Sequence, residues 1–217
     1  MRKFILLTTV FLLSLNIAAQ NITNKQFVLI DYDLKISDNF RTQTESLQDF
    51  FQSAKVHNED AKDRLKAILI HDLYYKLKPQ LERKLEISIL PVNSFMQETN
   101  YDEFGYPEMS ISKALRKGDS PFYFNVKVTL DSKEQEENME SVVQPHFVIE
   151  SKVFSDEGIL PVFKWHGEKG VTEPLPVSKM LFKGFVDNLP QDQKAETTLS
   201  SLYDEAVINL INNHLND

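Results

Sequence analysis

Cysteine is absent from the 217 residues, which excludes disulfides, thiolate metal centres and thiol nucleophiles. Stability must then come from an ordinary hydrophobic core, and an aromatic content of 11% suits one. Glycine is scarce, at six residues. None of the six builds a Gly-x-Ser-x-Gly elbow, a phosphate-binding loop or a dinucleotide fingerprint. The five histidines are scattered, with no His-Glu-x-x-His and no pair at helical spacing, so no metal or cofactor site is expected. Positive charge is also short, with 24 Lys and Arg against 32 Asp and Glu. That balance speaks against nucleic acid or an anionic membrane as partner.

Long apolar runs are limited to one, at the start. Arg2 and Lys3 precede a stretch from Phe4 to Leu15 that is interrupted only by Thr8, Thr9 and Ser14. Its length of about 12 residues falls short of the roughly 20 that a spanning helix needs, and it fits the core of a secretory signal peptide. Ala19 is the small residue expected before a signal-peptidase cut. Residues 1–19 are therefore expected to be a signal peptide, with Gln20 as the new terminus. Losing Arg2 and Lys3 takes the formal charge from −8 to −10. With no cysteine to carry lipid and no second spanning run, the mature chain is expected to be periplasmic or secreted. Residues 20–217 have the length of one globular domain.

Hydrophobic periodicity divides that domain. Residues 26–34 read as a buried strand broken by Ser37-Asp38-Asn39. Residues 44–56 place Leu47, Phe50, Phe51 and Ala54 on one helical face, with Thr44 as cap. A long helix follows from an Asn58 cap, with Ala61, Leu65, Ile68, Leu69, Leu73 and Leu77 in a stripe. Pro79 should kink or restart it. Residues 86–92 read as a strand, 93–106 as a structured loop and 107–117 as a short helix closed by Gly118. Residues 122–130 alternate with a period of two and predict a strand with antiparallel neighbours. Residues 145–154 and 159–166 predict a hairpin around Ser155-Asp156-Glu157-Gly158. Residues 177–186 fit a strand or a short helix, and 197–215 a final helix. The fold class is α+β: a central, largely antiparallel sheet packed by a long helix from the N-terminal half and by a C-terminal helix.

Few residues suggest chemistry. Asp31 and Asp33 share one side of the first strand, and paired carboxylates can act as acid and base. His146 shares a strand face with Glu150, and His166 with Glu168, so either pair could contribute to a site built from several strands. His71-Asp72 on the long helix reads as a partly buried hydrogen bond. Ser110-Ile111-Ser112-Lys113 matches a Ser-x-x-Lys spacing without its companion motifs. The single tryptophan, Trp165, sits before a glycine, where it either stacks on a ligand or faces inward with Phe163. Glu134, Glu136, Glu137 and Glu140 lack the glycine-containing pattern of a calcium loop and read as a solvated connection.

The order of elements, with Leu85-Glu86-Ile87-Ser88-Ile89-Leu90-Pro91 after the long helix and Leu202-Tyr203-Asp204-Glu205-Ala206 in the last one, resembles envelope proteins of the TolB amino-terminal type. That resemblance implies a periplasmic interaction module. The expected function is thus an exported binding module with a protein partner in the cell envelope. The alternative is an exported hydrolase built on Asp31, Asp33, His146 and His166.

Overall fold

The computed structural model describes residues 22–53, 56, 58–95, 99–133, 142–176 and 198–216. The expected signal peptide, the four glutamates of the acidic connection and the ambiguous segment 177–186 lie outside them. No helix of the described residues is long and apolar enough to cross a membrane.

Strand β1 (Gln26–Ile36) buries Phe27 and Leu29 and then, after a bulge between Leu29 and Asp31, Tyr32, Leu34 and Ile36. The extra residue at the bulge switches the side-chain parity. A run that does not alternate in sequence therefore still keeps one apolar face. Ser37 ends the strand by capping α1 (Asp38–Gln43), its hydroxyl accepting from the Phe40 N–H at 3.2 Å. Ser37-Asp38-Asn39 thus starts a helix where the sequence suggested only a break. Thr44 closes α1 instead of opening the next helix, because its hydroxyl donates to the Phe40 carbonyl at 2.8 Å. Where a single helix is expected over 44–56, the described residues form a 3-10 turn at Glu45–Leu47 and then α2 (Gln48–Ser53).

Helix α3 (Arg64–Leu85) begins at an Asp63 cap, not at Asn58. Asn58 instead accepts from the Asp60 N–H at 3.0 Å and donates to the Glu103 carbonyl at 2.7 Å. Pro79 lies inside α3, which runs through it without a restart. The hydrogen bond it removes would have ended on the carbonyl of Tyr75, an exposed residue where water can substitute. Glu86 closes the helix in the left-handed region, at φ 53°. The strand expected over 86–92 shrinks to β2 (Ser88–Ile89), parallel to the start of β1.

Two short strands, β3 (Asn100–Tyr101) and β4 (Pro107–Glu108), pair with each other, and β4 also meets β1 where Glu108 faces Asp31. Pro107 is therefore strand, and the helix expected from it is the shorter α4 (Ile111–Lys117). Strands β5 (Phe122–Ser132), β7 (Pro145–Ser155) and β8 (Pro161–Gly170) form an antiparallel series. β6 (Val142–Val143) and β9 (Leu175–Pro176) make a separate small ladder. The main sheet runs β3-β4-β1-β5-β7-β8, with β2 also on β1. β5 has one antiparallel neighbour and one parallel neighbour, β1. The parallel pairing follows from the long helical crossover between them, which returns the chain in the same direction. Most pairings are antiparallel, and the fold is α+β.

The main core lies between one face of this sheet, α3 and the last helix, α5 (Leu199–Asn216). Among the described residues the opposite face is covered at one end, where Val28, Ile30, Tyr123 and Phe154 pack with Phe95, Met109 and Ala114 of the α4 side. Its remainder is polar, is left open by the described residues, and holds the candidate residues.

Candidate functional site

Directly opposed residues in neighbouring strands point to the same face, so the register reads the open face row by row. One row is Asp33, Lys127, Glu150 and His166; the next is Asp31, Asn125, Lys152 and Lys164. A third is Asp131, His146 and Gly170. All four proposed acid and base residues therefore lie on one face. They do not meet, because β1 and β8 are three strand spacings apart, about 14 Å at ~4.8 Å each.

At the β1 side the acids gather. Burial raises the Asp31 carboxyl above its ordinary range, and the charges of Asp33, Glu108 and Asp102 add to the rise. Asp33 is held by the Lys66 ammonium at 2.8 Å, which also lies 5.4 Å from the Phe104 ring centre. Asp102 accepts from the N–H groups of Phe104 and Tyr106 at 2.9 and 2.8 Å. Burial raises its carboxyl as well, more than those two bonds and Lys66 lower it. The Asp31 group thus belongs to an acidic corner in which Lys66 pairs with Asp33 and Lys127 lies opposite Asp33 on the next strand. At the β8 side, the Nε2 atoms of His146 and of His166 each stand 3.7 Å from the same Glu168 oxygen.

The remaining sequence candidates have structural roles. Trp165 does not present its ring to a ligand: it is 3% exposed, lies 6.2 Å from Phe27 and 5.0 Å from His214 between ring centres, and sits in the core. Ser110 caps α4, accepting from the Lys113 N–H at 3.4 Å, so the Ser-x-x-Lys spacing is that of a helix start. His71 pairs through Nδ1 with the Tyr106 hydroxyl at 3.1 Å.

Two features were missed from sequence. The first is a buried tyrosine cluster: the rings of Tyr32, Tyr74 and Tyr106 have centres 4.7–5.2 Å apart. Burial drives all three phenols, and that of nearby Tyr203, to higher pKa, so they stay neutral. No spacing rule connects four tyrosines on separate elements. The second is a cleft of about 390 Å³ between α1, α2 and the start of α3, lined by Arg41, Thr44, Gln48, Lys62, Asp63 and Arg64 among others. Arg41 grips Asp63 there through two bonds, at 3.0 and 2.5 Å. Burial raises the Asp63 carboxyl, but the bonds from Arg41 and the Lys66 N–H outweigh it, and its pKa falls below the ordinary range. None of the acid or imidazole candidates lines this cleft.

No protein-family model and no curated protein matches the chain. Several solved structures align with much of the chain at low scores. A hypothetical protein from Chlamydia trachomatis aligns at a TM-score of 0.43 and 6% identity, over 88% of this chain and 96% of that one. A lipoprotein from Neisseria meningitidis aligns at 0.40 and 8%, over 89% and 99%. A PelC dodecamer from Paraburkholderia phytofirmans aligns at 0.36 and 7%, over 87% and 86%. At these values the likeness is to hypothetical proteins and lipoproteins of bacteria, carries no argument about function, and provides no link to the TolB type.

Proposed function

We propose that the mature chain is an exported, non-catalytic binding module that engages a protein partner in the cell envelope, with the β7–β8 turn as its contact. The observation that carries this reading is the exposure of Ile159, Leu160 and Val162, at 59, 78 and 38%. Three large aliphatic side chains within four positions at a hairpin tip leave apolar surface in water, and a covering partner removes that cost. The charged rows of the adjoining open face supply a polar rim of the kind that selects partners by complementarity. The signal-peptide reading of residues 1–19 supports the compartment. The hydrolase alternative needs Asp31, Asp33, His146 and His166 in one hydrogen-bonded network, and the strand register separates them.

A photo-crosslinking residue at position 160, in the protein expressed in its native host, tests the proposal. A discrete protein adduct is expected at 160 and not at Lys35, and it should be lost with Ile159→Asp plus Val162→Asp. Equal labelling at both positions overturns the proposal. So does turnover of a substrate that Asp31→Asn abolishes.

A further inference from the structure

Lysine faces lysine across the β7–β8 ladder: Lys152 and Lys164 are directly opposed and both exposed. Side chains so placed start about 5 Å apart at Cβ, and like charges there weaken the pairing. On the other side of Lys152 stands Asn125 of β5, whose Oδ1 accepts from the Lys152 N–H at 3.1 Å. What Asn125 has left to offer is its Nδ2 donor. The row of Asn125, Lys152 and Lys164 therefore presents donors and two positive charges, in a chain whose formal charge is −8.

Acids border this row without neutralising it. Asp31 ends it on β1, Glu150 lies in the next row between Lys127 and His166, and Asp156 and Glu157 occupy the turn. Among the described residues no ion pair involves Lys152 or Lys164. The apolar residues of the turn adjoin the same end of β8: Leu160 and Val162, a few positions before Lys164, are exposed.

We infer, on the strength of the binding reading above, that the partner engaged at the β7–β8 turn presents an acidic protein segment carrying a large apolar side chain. Its carboxylates accept from Lys152, Lys164 and Asn125, and its apolar residue covers Leu160 and Val162. Such a segment supplies the counter-charge that the opposed lysines lack, and charge complementarity of this kind sets partner choice and association rate. The rest of the acidic surface repels the same segment, which confines it to this row.

The test is a titration of isotope-labelled mature protein, followed by nuclear magnetic resonance, with a short synthetic peptide of glutamate, aspartate and leucine. The amide signals of Lys152, Val162 and Lys164 should shift saturably at about 50 mM salt and much less at about 0.5 M, where screening shortens the reach of exposed charges. A peptide with lysine in place of every acid should shift none of them. Lys152→Gln plus Lys164→Gln should weaken binding roughly three- to tenfold, the scale of two exposed ion pairs, and Lys152→Glu plus Lys164→Glu should abolish it. Lys62→Glu plus Lys84→Glu, the same change in net charge around α3, should leave it unchanged. Melting curves separate these losses from misfolding: removing the opposed ammonium groups should not lower the melting temperature. Absence of saturable shifts at millimolar peptide, an equal loss in the α3 variant, or binding to phosphatidylglycerol vesicles in place of the peptide overturns the inference. The binding reading is decided separately by the adduct at position 160: an adduct on a segment without acids keeps that reading and overturns this one.

Discussion

Gly167 of β8 lies directly beneath Ala206 of α5: a Cβ at Gly167 would stand 2.4 Å from the Ala206 carbonyl oxygen and 2.4 Å from the Leu210 nitrogen. The helix backbone rests on the strand backbone with no side chain between them. Gly167→Ala should therefore force α5 off the sheet and cost about 2–3 kcal/mol, at the upper part of the overpacking range. Urea unfolding measures this, and an unchanged midpoint would show that α5 does not seat there.

The same helix closes the sheet edge. Asn209 and Asn213, one turn apart, donate to the carbonyls of Glu168 and His166 at 2.8 and 3.0 Å. β8 is the terminal strand of its sheet, and unpaired edge groups invite strand addition. The Asn209→Ala, Asn213→Ala double variant should lose about 1–2 kcal/mol and self-associate with concentration. Size-exclusion chromatography over a dilution series reads the second effect; a strictly monomeric variant would count against it.

Asp31 and Asp63 should affect stability with opposite pH dependence. Asp31 has a raised folded pKa, caused first by burial and then by neighbouring acids. Its stabilising protonated form is present below the unfolded value of ~3.9 and is lost as pH rises through the folded value. Asp31→Asn should therefore raise the melting temperature at pH 7, and the gain should vanish near pH 3. Asp63 has a lowered folded pKa. Its contribution is present above the unfolded value and is lost as pH falls through the folded one. Asp63→Ala, which also removes the α3 cap, should cost about 1–2 kcal/mol at pH 7 and less in acid. Melting curves of both variants across pH 3–7 decide whether the two signs differ.

Glu86 is a non-glycine residue held at φ 53° at the end of α3. The left-handed region costs an ordinary residue about 1 kcal/mol, and glycine avoids that cost. Glu86→Gly should stabilise the protein by a few tenths to 1 kcal/mol, less any added freedom of the unfolded chain. A lower unfolding midpoint would show that the Glu86 side chain contributes more than the backbone loses.

Local signals were legible where one element suffices to generate them. The alternation of Phe122, Phe124, Val126, Val128 and Leu130 is set by a strand with one buried face, and those five residues are in the main core. The stripe of α5 and the β7–β8 hairpin were readable for the same reason. Signals failed where two readings share a composition. Ser37-Asp38-Asn39 suits a break and a capped helix start equally, and Thr44 suits either end of a helix. β1 hid its alternation because the bulge after Leu29 inverts the parity in mid-strand.

The candidate site was legible as a set of residue types and not as an arrangement. His146–Glu150 and His166–Glu168 are same-strand neighbours, and a period of two is all that sequence shows of them. Whether β7 and β8 pair with His146 beside Gly170 is decided by the turn between them, and that register is what puts both rings on Glu168. Sequence by itself determined the absence of thiol chemistry, the acidic balance, the α+β class and the amphipathic faces, all of which depend on composition or on contacts near in the chain. Tertiary structure alone decided that β1 runs parallel to β5, that the acids and imidazoles occupy opposite ends of one open face, and that α5 touches β8 at Gly167. Those outcomes depend on pairings between residues far apart in the chain, which burial of the shared core selects and no local periodicity encodes.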